Sequence, residues 1–130
     1  MSFLLDTNIC SAHLRSAAGL THRMIQHSGR LYTSEIVVAE LYSGAFHKAV
    51  SGPLIVRIDD LLMDIHVLPF DRACAVSFGQ IRGEHLRRGI SFSPMDLMIA
   101  ATAFAHDLTL VTHNVKDFDK VPDLRIEDWL

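Results

Sequence analysis

Polar side chains break into apolar runs at four places in the chain. "FLLDTN" closes a run of large apolar residues with Asp6, Thr7 and Asn8. "IVVAELYSG" sets Glu40 among aliphatic residues, with the small Ser43 and Gly44 one turn further on. "SPMDLMIAATAFA" puts Asp96 ahead of an almost wholly apolar stretch. "LVTHNVKDFD" follows Leu110 and Val111 with Thr112, Asn114, Asp117 and Asp119. An ionised carboxylate withdrawn from water without partners is costly, so each of these acids needs a reason to be where it is. Carboxylates that gather in one place repel one another unless a cation neutralises them. Hard oxygen ligands, with water completing the shell, suit Mg²⁺ or Mn²⁺. A carboxylate-held Mg²⁺ in turn suits phosphate-ester hydrolysis, in which the metal activates water and clamps the in-line transition state.

Each acid also has a plain structural reading. Asp6 or Thr7 can cap the helix that follows. Ser93 and Asp96 have the S-x-x-D spacing of a capping box, and Asn114 with Asp117 repeats it. Glu40 reads equally well as a surface glutamate, and the cluster from Thr112 onward as a solvated loop. The four signals gain weight only if the fold brings them together.

The elements that would do so alternate between strand and helix, the pattern of an α/β protein with a central parallel sheet. Strands are expected at 3–6, 31–33, 65–68, 108–112 and 125–127. Helical material is expected from about residue 8 to 28, broken at Gly19, and then over 35–47 and 52–64. The stretch 33–45 is ambiguous, because Ile36, Val37 and Val38 favour a strand by propensity. Ser34 is a good helix cap and the residues after Ala39 continue best as helix, which decides for helix. In 70–89, Asp71 can cap and Gly89 can end a helix whose Cys74, Phe78, Ile81 and His85 share one face. Ser93 as cap and Pro94 at the first helical position open another over 93–105, apolar on nearly every side and therefore buried. In an open α/β sheet, ligands bind beyond the carboxyl ends of the strands. Asp6 and the Thr112 cluster both follow strands, and the start of the Asp96 helix lies on the same edge.

Composition agrees with such a protein. The chain has 130 residues, 49% of them hydrophobic, which fits one domain over residues 1–130 with a core large enough to need no staples. Cys10 and Cys74 lie far apart and form no CxxC pattern, so reduced thiols and a cytoplasmic location are expected. No signal peptide is visible, and no apolar run reaches the roughly 20 residues of a membrane span. The net charge of −3 disfavours coating nucleic acid by bulk charge but permits a local basic patch. The 8 histidines have no HExxH-type spacing and read as surface or core residues.

"LLDTNI", "SEIVVAELYSGA", "SPMDLMIAATA" and "LVTHNVKDFDKVPDLRIEDW", in that order, resemble the PIN-domain ribonucleases, specifically the VapC toxins of type II toxin–antitoxin systems. The resemblance runs from Phe3 to Trp129. It implies an α/β/α sandwich around a parallel sheet and a Mg²⁺- or Mn²⁺-dependent endoribonuclease that leaves 5′-phosphate and 3′-hydroxyl ends. Asp6 matches the family's first acid, Glu40 its second and Asp96 its third. Asn114 stands where many PIN domains carry an aspartate, with Asp117 three residues later as a possible fourth metal ligand. Of the two, Asn114 is expected to face the site and Asp117 to be peripheral. Thr7, Asn8 and Thr112 are expected to orient the acids. Arg82, Arg87, Arg88 and Lys116 are the candidates for RNA phosphate contacts, against the plainer reading of a solvated helix end. The resemblance further implies a homodimer and a cognate antitoxin, through which alone the protein meets operator DNA; the apolar helix around 35–46 and the stretch 52–64 are the candidate docking surfaces. A catalytically inactive PIN-fold subunit acting within an antitoxin–DNA complex is the alternative. A phosphatase with a strand-end aspartate nucleophile is disfavoured, because Asn8 occupies the place of its second aspartate.

Overall fold

In the computed structural model, which describes residues 1–130, apolar triplets make a short-stranded parallel sheet and the segments between them are helical. In chain order the elements are β1 (Phe3–Leu5), α1 (Thr7–Leu14), α2 (Leu20–Gln26), β2 (Leu31–Ser34), α3 (Glu35–Phe46), α4 (Gly52–Asp64), β3 (His66–Leu68), α5 (Arg72–Arg87), α6 (Pro94–Ala105), β4 (Thr109–Val111), α7 (Val115–Phe118) and β5 (Ile126–Glu127). The strands lie in the order β3-β2-β1-β4-β5, and every neighbouring pair is parallel. Right-handed crossovers place the helices that follow β1 and β2 on one face and those that follow β3 and β4 on the other. Helix packing agrees, with α1, α3 and α4 in contact on one side and α5 against α6 on the other.

The chain leaves β1 toward β2 in one direction and returns to β4 in the other, so the topological switch point falls between β1 and β4. Leu5 pairs with Val111 in the ladder. The next residues, Asp6 and Thr112, are therefore neighbours across that switch point. The strand expected over 3–6 stops at Leu5, and Asp6 is instead the N-cap of α1.

The helical material expected over 8–28 is broken at Gly19 as expected, into α1 and α2. Gly19, with φ +81°, adopts the left-handed conformation that only glycine takes without strain and starts α2. The ambiguous stretch is helical as expected. Ser34 ends β2 and caps α3 in one step, its Oγ accepting from the Val37 N–H at 3.2 Å. Val37 and Val38 turn inward to the core, and that burial outweighs their strand propensity. In α6, Leu97, Ile99, Ala100, Ala101 and Ala103 are buried, and the buried Thr102 hydroxyl donates to the Met98 carbonyl at 2.8 Å. α6 is thus a rigid central helix whose first turn carries Asp96. No helix is long and apolar enough to cross a membrane.

Candidate metal centre

Asp6 is almost fully buried, with 4% of its surface exposed, at the end of the central strand. Its Oδ1 accepts the Thr7 N–H at 2.8 Å. Its Oδ2 accepts the Thr112 hydroxyl at 2.8 Å and lies 3.5 Å from the Asn8 amide nitrogen. Burial nevertheless raises the Asp6 carboxyl above the usual range, the donors from Thr112 and Thr7 oppose the rise, and the Glu40 charge adds to it. Hydrogen bonds alone do not offset the loss of water here.

Glu40 reaches the same place from the middle of α3. The Thr7 hydroxyl donates to its Oε1 at 2.5 Å, so Thr7, through its N–H and its hydroxyl, holds both Asp6 and Glu40. Asp96 arrives from the first turn of α6. Ser93 is the cap of that helix, its Oγ accepting the Asp96 N–H at 3.4 Å, and the Asp96 side chain makes no hydrogen bond of its own. The carboxylate is therefore free for another task. Its pKa is pushed up to about 6, first by desolvation and then by the charges of Asp6, Glu40 and Asp117.

On β4's side, Thr112 is the hub. Besides donating to Asp6, its oxygen accepts the Asn114 N–H at 3.0 Å and the Asn8 amide at 3.3 Å. Asn8 Oδ1 accepts the His113 N–H at 3.1 Å, which ties the start of α1 to the loop after β4. Asn114 stands at the N-cap position of α7 without capping it. Its amide instead donates to Asp117 Oδ2 at 2.8 Å. Asp117 is exposed, yet its charge reaches Asp96.

The charges of Asp6 and Glu40 thus reach Asp96, none of the three is paired with a cation, and Thr7, Asn8 and Thr112 interlock around Asp6 and Glu40. The donor set is all oxygen, no lysine or arginine is paired with any of the three acids, and two of them are held above their normal pKa. Such a set fits a hard divalent cation. The cations expected to meet RNA are less concentrated. Arg87 pairs with Glu84 at the end of α5, while Arg88 and Lys116 are exposed. Arg82 lines a cleft with Ser91 and Pro94, next to the start of α6.

Arg15, Lys48 and Arg57, missed by reading the sequence, line a groove of about 500 Å³ between α1, α3 and α4, and Glu40 forms part of its wall. They sit on separate elements with unremarkable spacing, so no local pattern marks them.

The fold and site define a class of metal-dependent nuclease, and the chain belongs to the PIN domain family, whose profile matches residues 3–124. Within that family it groups with the VapC ribonucleases. It is 35% identical over 130 residues to the tRNA(fMet)-specific endonuclease VapC of Shigella flexneri, covering 99% of this chain and 98% of that protein. It is 34% identical over 131 residues to the ribonuclease VapC of Haemophilus influenzae strain 86-028NP, covering 100% and 99%. The crystal structure of DNA-bound VapBC from Salmonella typhimurium superposes with a TM-score of 0.96 at 32% identity, covering 100% of this chain and 99% of that one.

Proposed function

We propose that this chain, as a single domain over residues 1–130, is the toxin of a type II toxin–antitoxin pair and cuts RNA with Mg²⁺ or Mn²⁺ held by Asp6, Asp96 and Glu40. The observation that supports the reading is that the charges of Asp6 and Glu40 reach Asp96 from β1 and α3, where with burial they push its carboxyl up to about 6. A cation in that place, when bound, supplies Lewis acidity toward water and the scissile phosphate. The protein's own groups do the rest. Thr112 and the Thr7 N–H hold the two oxygens of Asp6 in place, and the Thr7 hydroxyl fixes Glu40. Asn114 or Asp117, bonded to each other, completes the oxygen shell from the β4 side, Asn114 being the expected one and Asp117 peripheral. Arg15, Lys48 and Arg57 hold RNA phosphates along the groove that leads to Glu40, and Arg82, Arg87, Arg88 and Lys116 extend the contact on the other flank.

The relative from Shigella is specific for initiator tRNA, which makes that tRNA the first substrate to test. The expected partners are an antitoxin, through which the complex meets operator DNA, and a second copy of the chain. The expected site of action is the cytoplasm. The full set Asp6, Glu40 and Asp96 disfavours an inactive PIN-fold subunit. The test is cleavage of total RNA and of purified initiator tRNA with Mg²⁺, Mn²⁺ or EDTA. Cleavage that needs the ion and disappears in Asp6→Asn is expected. Cleavage unaffected by EDTA, or surviving in Asp6→Asn, would overturn the reading.

A further inference from the structure

We infer that Asp71, Cys74 and His106 form a second metal site, built for a thiophilic divalent ion such as Zn²⁺ and separate from the acidic centre. Asp71 and Cys74 are the cap and the third residue of α5, and His106 follows the last turn of α6. A carboxylate oxygen, the Cys74 Sγ and a His106 ring nitrogen all lie within 4.8 Å of one another. Tetrahedral zinc with these donor types spaces them about 3.5 Å apart, so small side-chain adjustments close the site.

The three groups already interact with one another. Asp71 Oδ1 accepts the Cys74 N–H at 3.0 Å, which fixes the carboxylate and leaves Oδ2 toward His106. The gap from Oδ2 to His106 Nε2 is 3.4 Å, within ion-pair range. Yet Nε2 is shut off from water and makes no hydrogen bond. The sulfur of the buried Cys74 lies 3.9 Å from the Pro69 carbonyl oxygen and also interacts with the side chains of Asp71 and Thr102. Burial, and after it the neighbouring Asp71 carboxylate, raises the Cys74 thiol above its usual range, which makes it inert as a free nucleophile. A coordinated metal deprotonates such a thiol outright. The mixed O, S, N donor set selects zinc over Mg²⁺, whereas the acidic centre is all oxygen and selects the reverse. The two places are also apart. Asp96 and His106 are ten residues apart along α6, about 15 Å of helix. An ion here would pin the start of α5 to the end of α6, the helix that carries Asp96.

Cobalt substitution tests the site directly. Co²⁺ bound to a thiolate gives near-ultraviolet charge-transfer absorption that an all-oxygen site cannot give. The full-length chain titrated with Co²⁺ is expected to show that band, with Zn²⁺ displacing it. The band is expected to persist in Asp6→Asn and in Cys10→Ala, which removes the other thiol. It is expected to vanish in Cys74→Ser, and the affinity is expected to fall roughly tenfold or more in His106→Ala. His106 is partly exposed, so its variant keeps the fold and decides the matter even if Cys74→Ser unfolds. No band in the wild type, a band that survives Cys74→Ser, or an unchanged affinity in His106→Ala would reduce the cluster to a helix cap with an adjacent Asp71–His106 ion pair.

Discussion

Asp96→Asn separates a metal ligand from a helix cap by stability alone, with no cleavage assay. In the metal-free protein the Asp96 carboxyl is pushed up from an ordinary value of 3.8 to about 6. At about 1.4 kcal/mol per unit, that is an upper bound near 3 kcal/mol of destabilisation. The group is only half-buried, so solvent screening reduces this to about 1–2 kcal/mol. The sign follows from proton uptake. The folded state holds the Asp96 proton more tightly than the unfolded chain does, so the penalty is full above pH 6 and gone below about pH 4. Asparagine removes the penalty, and it forfeits about 0.5 kcal/mol of attraction between a carboxylate and the start of α6. The backbone cap bond to Ser93 survives the change. In EDTA at pH 7.5, Asp96→Asn is therefore expected to be more stable than the wild type by about 1 kcal/mol, a gap that closes toward pH 4. Urea unfolding of both proteins across that range measures it. Burial lowers the pKa of His13 and His27, which weakens the fold as pH falls from 7 to 5, but this affects both proteins equally and cancels in the difference. Added Mg²⁺ is expected to reverse the order, because only the wild type gains from binding it. A variant less stable than the wild type at pH 7.5 in EDTA would mean that the acids do not repel, and the metal-site reasoning would fail with it.

Cation affinity is expected to rise between pH 5 and 7.5 with release of protons, as the raised carboxyls of Asp96 and Asp6 must ionise to bind; calorimetry in two buffers of different ionisation heat checks this, and pH-independent affinity would contradict it. Thr112→Val keeps shape but removes the hub between Asp6, Asn8 and Asn114, and is expected to cost about 1–3 kcal/mol by thermal unfolding while cleavage falls sharply. Asn114→Ala is expected to reduce cleavage more than Asp117→Ala, and Asn114→Asp to tighten Mg²⁺ binding; isothermal titration of the three variants decides it, and loss of metal affinity in Asp117→Ala alone would make Asp117 the ligand. Removing Arg57 and Lys48 together is expected to raise KM for RNA and flatten its salt dependence with little change in kcat, since both line the groove and neither touches the acids.

What the sequence disclosed followed from how far each interaction reaches. The Ser93 cap with Pro94 is a local device, and it locates the start of α6 and hence Asp96 with no knowledge of the rest. The end of β1 was harder to place by one residue. The Asp6 N–H still bonds the Val111 carbonyl at 2.9 Å as though the ladder continued, while its side chain has begun the helix. The break in 8–28 was legible from Gly19 alone, because a left-handed turn there is a local device. The Thr7–Glu40 bond spans 33 residues and two helices, and nothing in either segment announces it. The groove arginines and the Asp71–Cys74–His106 cluster were invisible for the same reason. Aspartate three residues before a cysteine is an ordinary capping pattern until the end of α6 is brought beside it.

The bond from Thr112 to Asp6 spans 106 residues and closes the acidic centre. It has a consequence for synthesis on the ribosome. Asp6 emerges among the first residues made, but its strand has no β4 to pair with until nearly the whole chain is complete. Contacts of such long sequence separation form late and slowly. A nascent or prematurely terminated chain therefore carries the acids without their geometry and cannot cut the RNA around it. The acidic centre is, by this arrangement, assembled only once β4 is available to pair.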